Sequence, residues 1–314
     1  MKRWLPYVAV CIAMLCWSVS GIAIKNALLV LPPFTMIVMR FSLAILVMLL
    51  VGVLFRRNAT LRLQLLKKKD LPLFLLAGFF QPFLYYLLET FAYDALSSPT
   101  IAETLLSTSP LLSPFFAALL LREKVTKHNV FGIIISTVGM VLLVLVGSDN
   151  FEIGNSFGVL LAFAAVSTAV LYTVVLRRIP QTYSALTIVF WAQLFSLVLF
   201  YPIWGMVEGA EMCHFIPSFM EQLAAADIPI LTALLSVVYL GLFASVVAFV
   251  LFCYTVRQIG VTKTNAFNNI RPVFTALWMM FFFAENLPII KWIGVFLIIF
   301  GLFVSQKQEK SVKY

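Results

Sequence analysis

Long apolar runs, separated by short polar connections, occupy almost the whole chain. Each run is continuous and long enough to cross a bilayer as a helix, which takes about 20 residues. Continuity also disfavours a barrel, whose strands alternate over about ten residues. The pattern therefore predicts an all-α polytopic membrane protein with ten transmembrane helices, near residues 5–24, 33–55, 71–93, 99–121, 128–147, 156–176, 185–206, 229–253, 261–284 and 288–305.

The composition of the 314 residues strengthens this prediction. Hydrophobic residues make up 62% of the chain and charged residues only 11%, whereas soluble domains hold roughly 45–50% and 25%. A soluble globule could not cover its surface with so few charges, and disordered chains need low hydrophobicity. The net charge of +9 is typical of basic cytoplasmic loops, so we expect the lipid bilayer, and no nucleic acid, as a partner.

The distribution of Lys and Arg predicts the orientation. A cytoplasmic N-terminus places 18 of the 22 basic residues on the cytoplasmic side, and only Lys25 and Lys291 on the other. Cytoplasmic loops are enriched in Lys and Arg, so the sequence predicts a multi-pass protein of the cytoplasmic (inner) membrane with both termini in the cytoplasm. The first run is interpreted as a retained helix, and residues 207–228 as an outer loop that holds a short surface helix.

Two segments of the chain, 99–147 and 261–304, align without a gap at an offset of 162 residues. Identities in this alignment include Pro110 with Pro272, Glu123 with Glu285, Gly132 with Gly294, and Gly139 with Gly301. Each copy spans five predicted helices, and an odd number makes the second copy enter the membrane from the opposite side. The expected organisation is a five-helix repeat at 1–147, a linker at 148–155, an inverted five-helix repeat at 156–305 and a cytoplasmic tail at 306–314.

The duplicated set of a mid-helix proline, a glutamate after an apolar run and a Gly-x6-Gly helix resembles the EamA-type domain of the drug/metabolite transporter superfamily. Arg40-Phe41 and Trp17-Ser18 are similar to family positions in the first copy. The resemblance implies two tandem domains that export amino acids, other metabolites or drugs. The second copy departs from the pattern, since its first two helices lack a clear tryptophan and arginine.

Polar groups inside the predicted spans are the candidate site, because an ionisable group there costs roughly 2.5–3.5 kcal/mol. Glu103 and Ser107 share one helical face, as do their repeat equivalents Asn265 and Asn269. The prolines that follow each pair are expected to kink or break both helices and free carbonyls. The predicted substrate-binding residues are Trp17, Arg40, Gln81, Tyr85, Glu89, Glu103, Ser107, Trp191, Asn265, Asn269 and Arg271.

Different roles are expected within this set. Trp17, Tyr85 and Trp191 could stack on an apolar solute. Polar and charged members could hold its ionised groups, namely Arg40, Glu103, Asn265, Asn269 and Arg271. Alternatives stay open: Ser107 and Asn265 are also compatible with interhelical hydrogen bonds, and Arg40 with Glu89 is compatible with a structural ion pair. Glu123 and Glu285 are interpreted as surface anchors at the ends of their spans.

Catalytic, nucleotide-binding and metal-binding patterns are not found in the sequence. We therefore expect no enzyme activity, no cofactor and no metal site. The function predicted is a monomeric secondary transporter that exports small organic metabolites such as amino acids by alternating access. Proton antiport, with Glu89 or Glu103 carrying the proton, and facilitated diffusion both remain open. The alternative is a non-transporting membrane component, such as a lipid-linked assembly factor or a receptor.

Overall fold

The computed structural model describes residues 4–58, 61–96, 105–145, 156–209, 228–283 and 288–306. Every regular element within these ranges is helical. The α-helices are α1 (Leu5–Leu28), α2 (Pro33–Leu54), α3 (Leu71–Gly78), α4 (Tyr85–Ala95), α5 (Ser109–Leu121), α6 (Lys127–Leu145), α7 (Ser156–Arg178), α8 (Ala185–Val207), α9 (Ile228–Tyr239), α10 (Ala248–Ile259), α11 (Val261–Ala266), α12 (Arg271–Phe283) and α13 (Ile289–Gln306).

Three short segments of other helical types join pairs of these helices. A π-helical segment, Phe79–Leu84, connects α3 to α4, and a second, Leu240–Val247, connects α9 to α10. A 3₁₀ turn, Phe267–Ile270, connects α11 to α12. The loop regions where the sequence predicts the outer surface helix and the linker lie outside the described residues.

Seven helical stretches are long and apolar enough to cross a membrane. They are Leu5–Leu28, Pro33–Leu54, Leu71–Ala92, Ser156–Arg178, Ala185–Val207, Pro229–Ile259 and Ile289–Gln306. Two further apolar helices, Ser109–Leu121 and Lys127–Leu142, are shorter. The all-α membrane class is confirmed, whereas the count of ten crossing helices stays a prediction.

Helix interruptions lie where proline was expected to produce them. The α11–α12 stretch changes to a 3₁₀ turn just before Pro272, which lies in the first turn of α12. In the same way α5 begins at Ser109 after a turn at Ser107 and Thr108, with Pro110 in its first turn. Proline is tolerated in a first turn because the N–H it lacks would have no helical partner there. The predicted break is therefore confirmed at both prolines.

A third interruption separates α3 from α4. Gln81 has an extended backbone conformation, with φ −150° and ψ 125°, inside the π-helical segment. Pro82 follows it and cannot donate a backbone hydrogen bond. The break gives the Gln81 side chain a direction that a continuous helix would not give it.

Helices from the two parts of the chain interleave throughout the bundle. Residues before 146 supply one helix, and residues after 155 the other, in each of the main contacts: α1 with α9 and α10, α4 with α7, α2 with α8, α5 with α11, and α6 with α13. The largest buried apolar cluster likewise contains Phe74 together with Tyr172 and Phe249. A cavity in the centre of this bundle is therefore lined by both parts.

The contact between α6 and α13, which we call the glycine seam, brings two helix backbones together at Gly132, Gly139, Gly294 and Gly301. A Cβ atom added to Gly139 would lie 2.6 Å from the carbonyl oxygen of Gly294, and one added to Gly301 would lie 2.5 Å from that of Gly132. Any larger residue at Gly132, Gly139 or Gly301 would have to push backbone aside, so the seam requires glycine at these three positions.

Candidate functional site

A cavity of about 90 Å³ lies between the two parts of the chain. Its lining combines polar groups from seven α-helices and two of the joining segments with aromatic rings. Eight of the residues predicted from the sequence line it: Trp17, Arg40, Gln81, Tyr85, Glu89, Ser107, Asn265 and Arg271. The fold thus brings to one place side chains that are up to 254 positions apart in the sequence.

Arg40 is held at the cavity wall by hydroxyl groups and aromatic rings. Its side chain is only 2% exposed. Its Nε donates to Ser245 Oγ at 2.7 Å and its Nη2 to the Tyr86 hydroxyl at 2.9 Å. Its Cζ also lies 5.0 Å and 5.4 Å from the ring centres of Tyr86 and Phe41, a favourable cation–π arrangement.

The direct ion pair suggested for Arg40 and Glu89 is wrong, because the contacts of Arg40 among the described residues are to Ser245, Tyr86 and Phe41. Glu89 accepts a hydrogen bond from the Tyr85 hydroxyl at 3.0 Å, one turn back on α4. The Arg40 guanidinium and the Glu89 carboxylate are therefore each hydrogen-bonded to a different tyrosine. Both remain on the cavity lining, where a solute could reach them.

A cluster of uncharged polar side chains, which we call the amide cluster, forms another part of the lining. It consists of Ser109 on α5, Thr173 on α7, Asn265 on α11 and Asn268 on the 3₁₀ turn, all of which line the cavity. Asn265 Nδ2 donates to Thr173 Oγ1 at 3.2 Å. Asn268 Nδ2 donates to Ser109 Oγ at 3.0 Å and to Asn265 Oδ1 at 3.3 Å.

An aromatic wall completes the cavity. The Trp17 ring packs 5.3 Å from that of Phe249 and 5.2 Å from that of Phe252. Its Nε1 donates to the backbone carbonyl of Ala244 at 3.0 Å, so the indole is fixed between α1 and the π-helical segment before α10. One face of the cavity is therefore apolar and rigid.

Two predicted site residues, Trp191 and Asn269, do not line the cavity, and a third, Glu103, lies outside the described residues. The Trp191 indole donates to the backbone carbonyl of Gln64 at 3.0 Å and does not line the cavity. Asn269 is fully buried against α6, where its Nδ2 donates to Ser136 Oγ at 2.8 Å and Thr137 Oγ1 at 3.1 Å.

The 3₁₀ turn explains the position of Asn269. A 3₁₀ helix has three residues per turn, so residues three apart share a face. Asn268 therefore continues the face of Asn265, and Asn269 is turned away from it. The α-helical spacing assumed from the sequence selects the wrong asparagine.

Sequence reasoning also missed cavity residues that carry polar groups. Tyr86 directly follows the predicted site residue Tyr85, Ser109 lies two positions after Ser107, and Thr173 lies in a largely apolar helix. The position of Tyr86 beside a predicted site tyrosine was a signal that could have identified it. For Thr173 the sequence offers only a small polar residue within a span, which is common at interhelical contacts.

Glu123 closes one end of the bundle, and the surface-anchor interpretation of this residue is wrong. Its carboxylate accepts hydrogen bonds from the backbone N–H groups of Val261 at 3.0 Å and Thr262 at 3.5 Å. The first N–H groups of a helix have no partner within it, and a negative charge there is favourable. Gly260 reaches this arrangement with φ +90°, a conformation that suits glycine.

Glu208 makes a similar cap at the start of α2. Its buried carboxylate accepts from the N–H groups of Phe34 and Thr35 at 2.8 and 2.6 Å, and from the Thr35 hydroxyl at 2.7 Å. Each cap therefore joins the two parts of the chain through a carboxylate and the start of a helix.

A second contact network lies at the Glu123 end. The Tyr183 hydroxyl donates to Asp70 Oδ2 at 2.8 Å, and Arg257 donates to the carbonyls of Tyr183 and Pro180 at 2.6 and 2.8 Å. Burial raises the pKa of the Tyr183 phenol, and the hydrogen bond to Asp70 raises it further. The hydroxyl therefore stays protonated and acts as a donor. Gln64 ties the same loops together through the backbone of Ser184 and Thr182.

The model of the EamA-like transporter family matches this chain twice, at residues 4–145 and 156–306. The chain belongs to the EamA-like transporter family. This family membership makes the protein a membrane transporter rather than an enzyme.

Similar full-length proteins carry matching descriptions. This EamA-like chain is 25% identical to the uncharacterized transporter YetK of Bacillus subtilis (strain 168), over 99% of this chain and 89% of that protein. It is 23% identical to an uncharacterized transporter of Archaeoglobus fulgidus, over 98% and 100% of the two chains. A protein of known crystal structure shares the fold, with a TM-score of 0.76 and 21% identity over 97% of this chain and 99% of the other.

Proposed function

We propose that this EamA-like protein is a secondary transporter that exports small zwitterionic metabolites, such as amino acids, across the cytoplasmic membrane by alternating access. The observation that carries the proposal is the cavity, which lies between the two parts of the chain and presents Arg40, Arg271 and Glu89. Charged groups buried in an apolar bundle are costly, and they mark a solute pathway when they face a cavity.

The lining supports a zwitterion, because it combines groups of both charges with aromatic rings. The guanidinium of Arg40 can attract a carboxylate, and the carboxylate of Glu89 can attract an ammonium group. Pockets for drug-sized ligands measure roughly 300–1,000 Å³, so a cavity of about 90 Å³ favours a small solute.

The glycine seam supports a pair of inverted repeats. Gly132 and Gly294 are equivalent at the repeat offset, as are Gly139 and Gly301. In the seam Gly132 contacts Gly301, and Gly139 contacts Gly294. This exchange of partners is what a two-fold axis between equivalent elements produces, and a two-fold axis in the membrane plane is the hallmark of inverted-repeat transporters.

Helix irregularities support the same relation. The π-helical segments Phe79–Leu84 and Leu240–Val247 begin at positions 161 residues apart. The turn before Pro110 and the 3₁₀ turn before Pro272 also differ by the repeat offset. We therefore propose ten crossing helices in two five-helix repeats, with the termini in the cytoplasm. Single cysteines placed at Lys68 and Glu211 should then react with an impermeant thiol reagent from opposite sides of the membrane.

Closure at the Glu123 end supports alternating access. The Glu123 cap and the Tyr183 network hold α5, α11 and the loop before α8 together. The neutral end of the cavity, at Asn265, lies only one helical turn from Val261. In this proposal the cap and the network open when the solute is taken up from the cytoplasm and re-form before release.

Counterflow in proteoliposomes tests the function. Vesicles loaded with an unlabelled amino acid should accumulate the same labelled amino acid through the wild-type protein. Arg40→Ala should lower this exchange by tenfold or more, since a hydrogen bond to a charged group contributes about 1.5–3 kcal/mol. Arg178→Ala is the matched control, because Arg178 is outside the cavity and donates to the carbonyl of Leu120.

Two outcomes of the counterflow experiment would contradict the proposal. Folded wild-type protein that exchanges no amino acid or other zwitterion would contradict the proposed substrate class. Failure to move any small metabolite in a broad panel would favour the non-transporting alternative.

A further inference from the structure

We propose that the amide cluster is a selectivity subsite for a neutral hydrogen-bonding group, a hydroxyl or a carboxamide, on the side chain of the transported zwitterion. The inference rests on the proposed function and names a narrower substrate class for the same cavity. Asn268 and Ser109 are the residues assigned to selection.

Hydrogen-bond capacity in the cluster is only partly used. The Asn268 carboxamide has two N–H donors and makes two donated hydrogen bonds, one to Ser109 Oγ and one to Asn265 Oδ1. Among the described residues nothing donates to Asn268 Oδ1, and Ser109 Oγ accepts without having an acceptor for its own proton. Asn268 Oδ1 and the Ser109 hydroxyl proton are thus an acceptor and a donor that the cluster offers to the cavity.

Asn268 Oδ1 and the Ser109 hydroxyl lie close together, because Nδ2 of the same carboxamide is 3.0 Å from Ser109 Oγ. A hydroxyl both donates and accepts, and so does a primary carboxamide. Either group can therefore satisfy Asn268 Oδ1 and the Ser109 hydroxyl together. An aliphatic side chain would instead displace water from both and leave them bare, at a cost of about 1–3 kcal/mol for each group.

Spacing along the helix separates this subsite from the charged groups. Asn265, Asn268 and Arg271 follow one another at steps of three residues across the 3₁₀ turn, and all three line the cavity. Three residues of a 3₁₀ helix rise about 6 Å, so Asn268 is offset along the helix axis from the charged Arg271.

The remaining lining is consistent with this division of roles. The described ionisable residues of the cavity lie on α2, α4 and α12, whereas Ser109, Thr173 and Asn265 are neutral and at most 6% exposed. A solute bound by its ammonium and carboxylate groups at Glu89 and Arg40 therefore points its side chain at neutral partners. A charged side chain would find no counter-charge in the amide cluster.

Counterflow with isosteric pairs tests the subsite. Threonine and valine differ by a hydroxyl in place of a methyl group, and asparagine and leucine have similar shapes. Wild-type protein should exchange threonine and asparagine at least about tenfold better than valine and leucine, because sites built for a hydrogen-bonding group reject isosteres that lack it. Equal exchange of the two members of each pair would overturn the subsite while leaving the proposed transport of zwitterions intact.

Variants locate the selectivity. Asn268→Leu should reduce the preference within each pair to about twofold or less. Asn26→Leu is the matched control, since Asn26 lies in a separate groove between α1 and α9, and it should keep the wild-type ratio. A wild-type ratio in Asn268→Leu would overturn the assignment.

Ser109→Ala provides a second, milder variant if Asn268→Leu does not fold. It removes the hydroxyl donor and also the oxygen that accepts from Asn268 Nδ2, so the threonine-to-valine ratio should fall several-fold. An unchanged ratio in Ser109→Ala would also contradict the assignment. Absence of exchange for every zwitterion in the wild-type protein is a different outcome, and it would reject the proposed function rather than the subsite alone.

Discussion

Two helix pairs join the two parts of this chain in contrasting ways. The α6–α13 pair forms the glycine seam, with regular helices in backbone contact. The α5–α11 pair meets beside interrupted helices, with polar side chains between them and a cavity at the contact. The comparison teaches that the same fold uses close backbone packing where the parts are fixed together, and helix breaks where hydrogen-bonding groups must reach a solute.

The largest effect should come from filling the seam. Gly139→Ala places a methyl group 2.6 Å from a backbone carbonyl oxygen that cannot move without shifting α13. Overpacking of this kind costs about 1–3 kcal/mol and sometimes more, so we expect a clear fall in melting temperature and in the yield of folded protein. The control is Gly205→Ala, where a Cβ has no neighbour within 4 Å. Equal melting temperatures for the two variants would contradict a seam that requires glycine.

A second prediction separates the two neighbouring asparagines. Asn269→Ala leaves the hydroxyls of Ser136 and Thr137 without their buried partner, so it should destabilise the protein by about 1–3 kcal/mol. Asn268→Ala should change stability less, because water in the cavity can replace its hydrogen bonds, but it should alter solute selectivity. Thermal unfolding and counterflow on both variants check this difference. The reverse result would show that Asn269 faces the solute and would restore the expectation from α-helical spacing.

The smallest of these effects concerns the Glu123 cap. Glu123→Gln keeps the shape but removes the charge at the start of α11, and loss of such a cap costs about 0.5–2 kcal/mol. We expect a modest loss of stability and faster labelling of a cysteine at Ser109 from the Glu123 end. Lys124→Ala, which changes an adjacent residue, should leave the labelling rate unchanged. A labelling rate in Glu123→Gln equal to that in the wild-type protein would show that the cap does not restrict access.

The sequence predicts the fold class and the position of the cavity because both follow from patterns that repeat. Continuous apolar runs identify the helices, and the offset of 162 residues identifies the glycines of the seam and the two helix breaks. Buried polar residues such as Arg40 and Glu89 stand out because charges are so rare in apolar segments. The placement of these side chains on a common cavity follows from the pairing of helices across the two parts.

Other features depend on geometry that the pattern does not contain. The choice between Asn268 and Asn269 depends on a turn of three residues rather than 3.6, which is a local response to Pro272. Trp191 was expected at the site, but its indole reaches a backbone carbonyl in a loop more than 120 residues away. Glu123 looked like a surface residue because its partners, two backbone N–H groups of another helix, leave no mark in the side-chain sequence.

The glycine seam also has a mechanical consequence. Gly132 and Gly139 are seven residues apart, and so are Gly294 and Gly301, which gives two points of close approach about 10 Å apart on each helix. Sliding one helix along the other by a turn would drive side chains such as Ile298 or Ser136 into backbone, whereas a small rotation about the line of contact would not. In the proposed alternating access the seam would act as a pivot that resists translation of the two parts and permits them to rock, and the cavity would open by changes in angle rather than by separation.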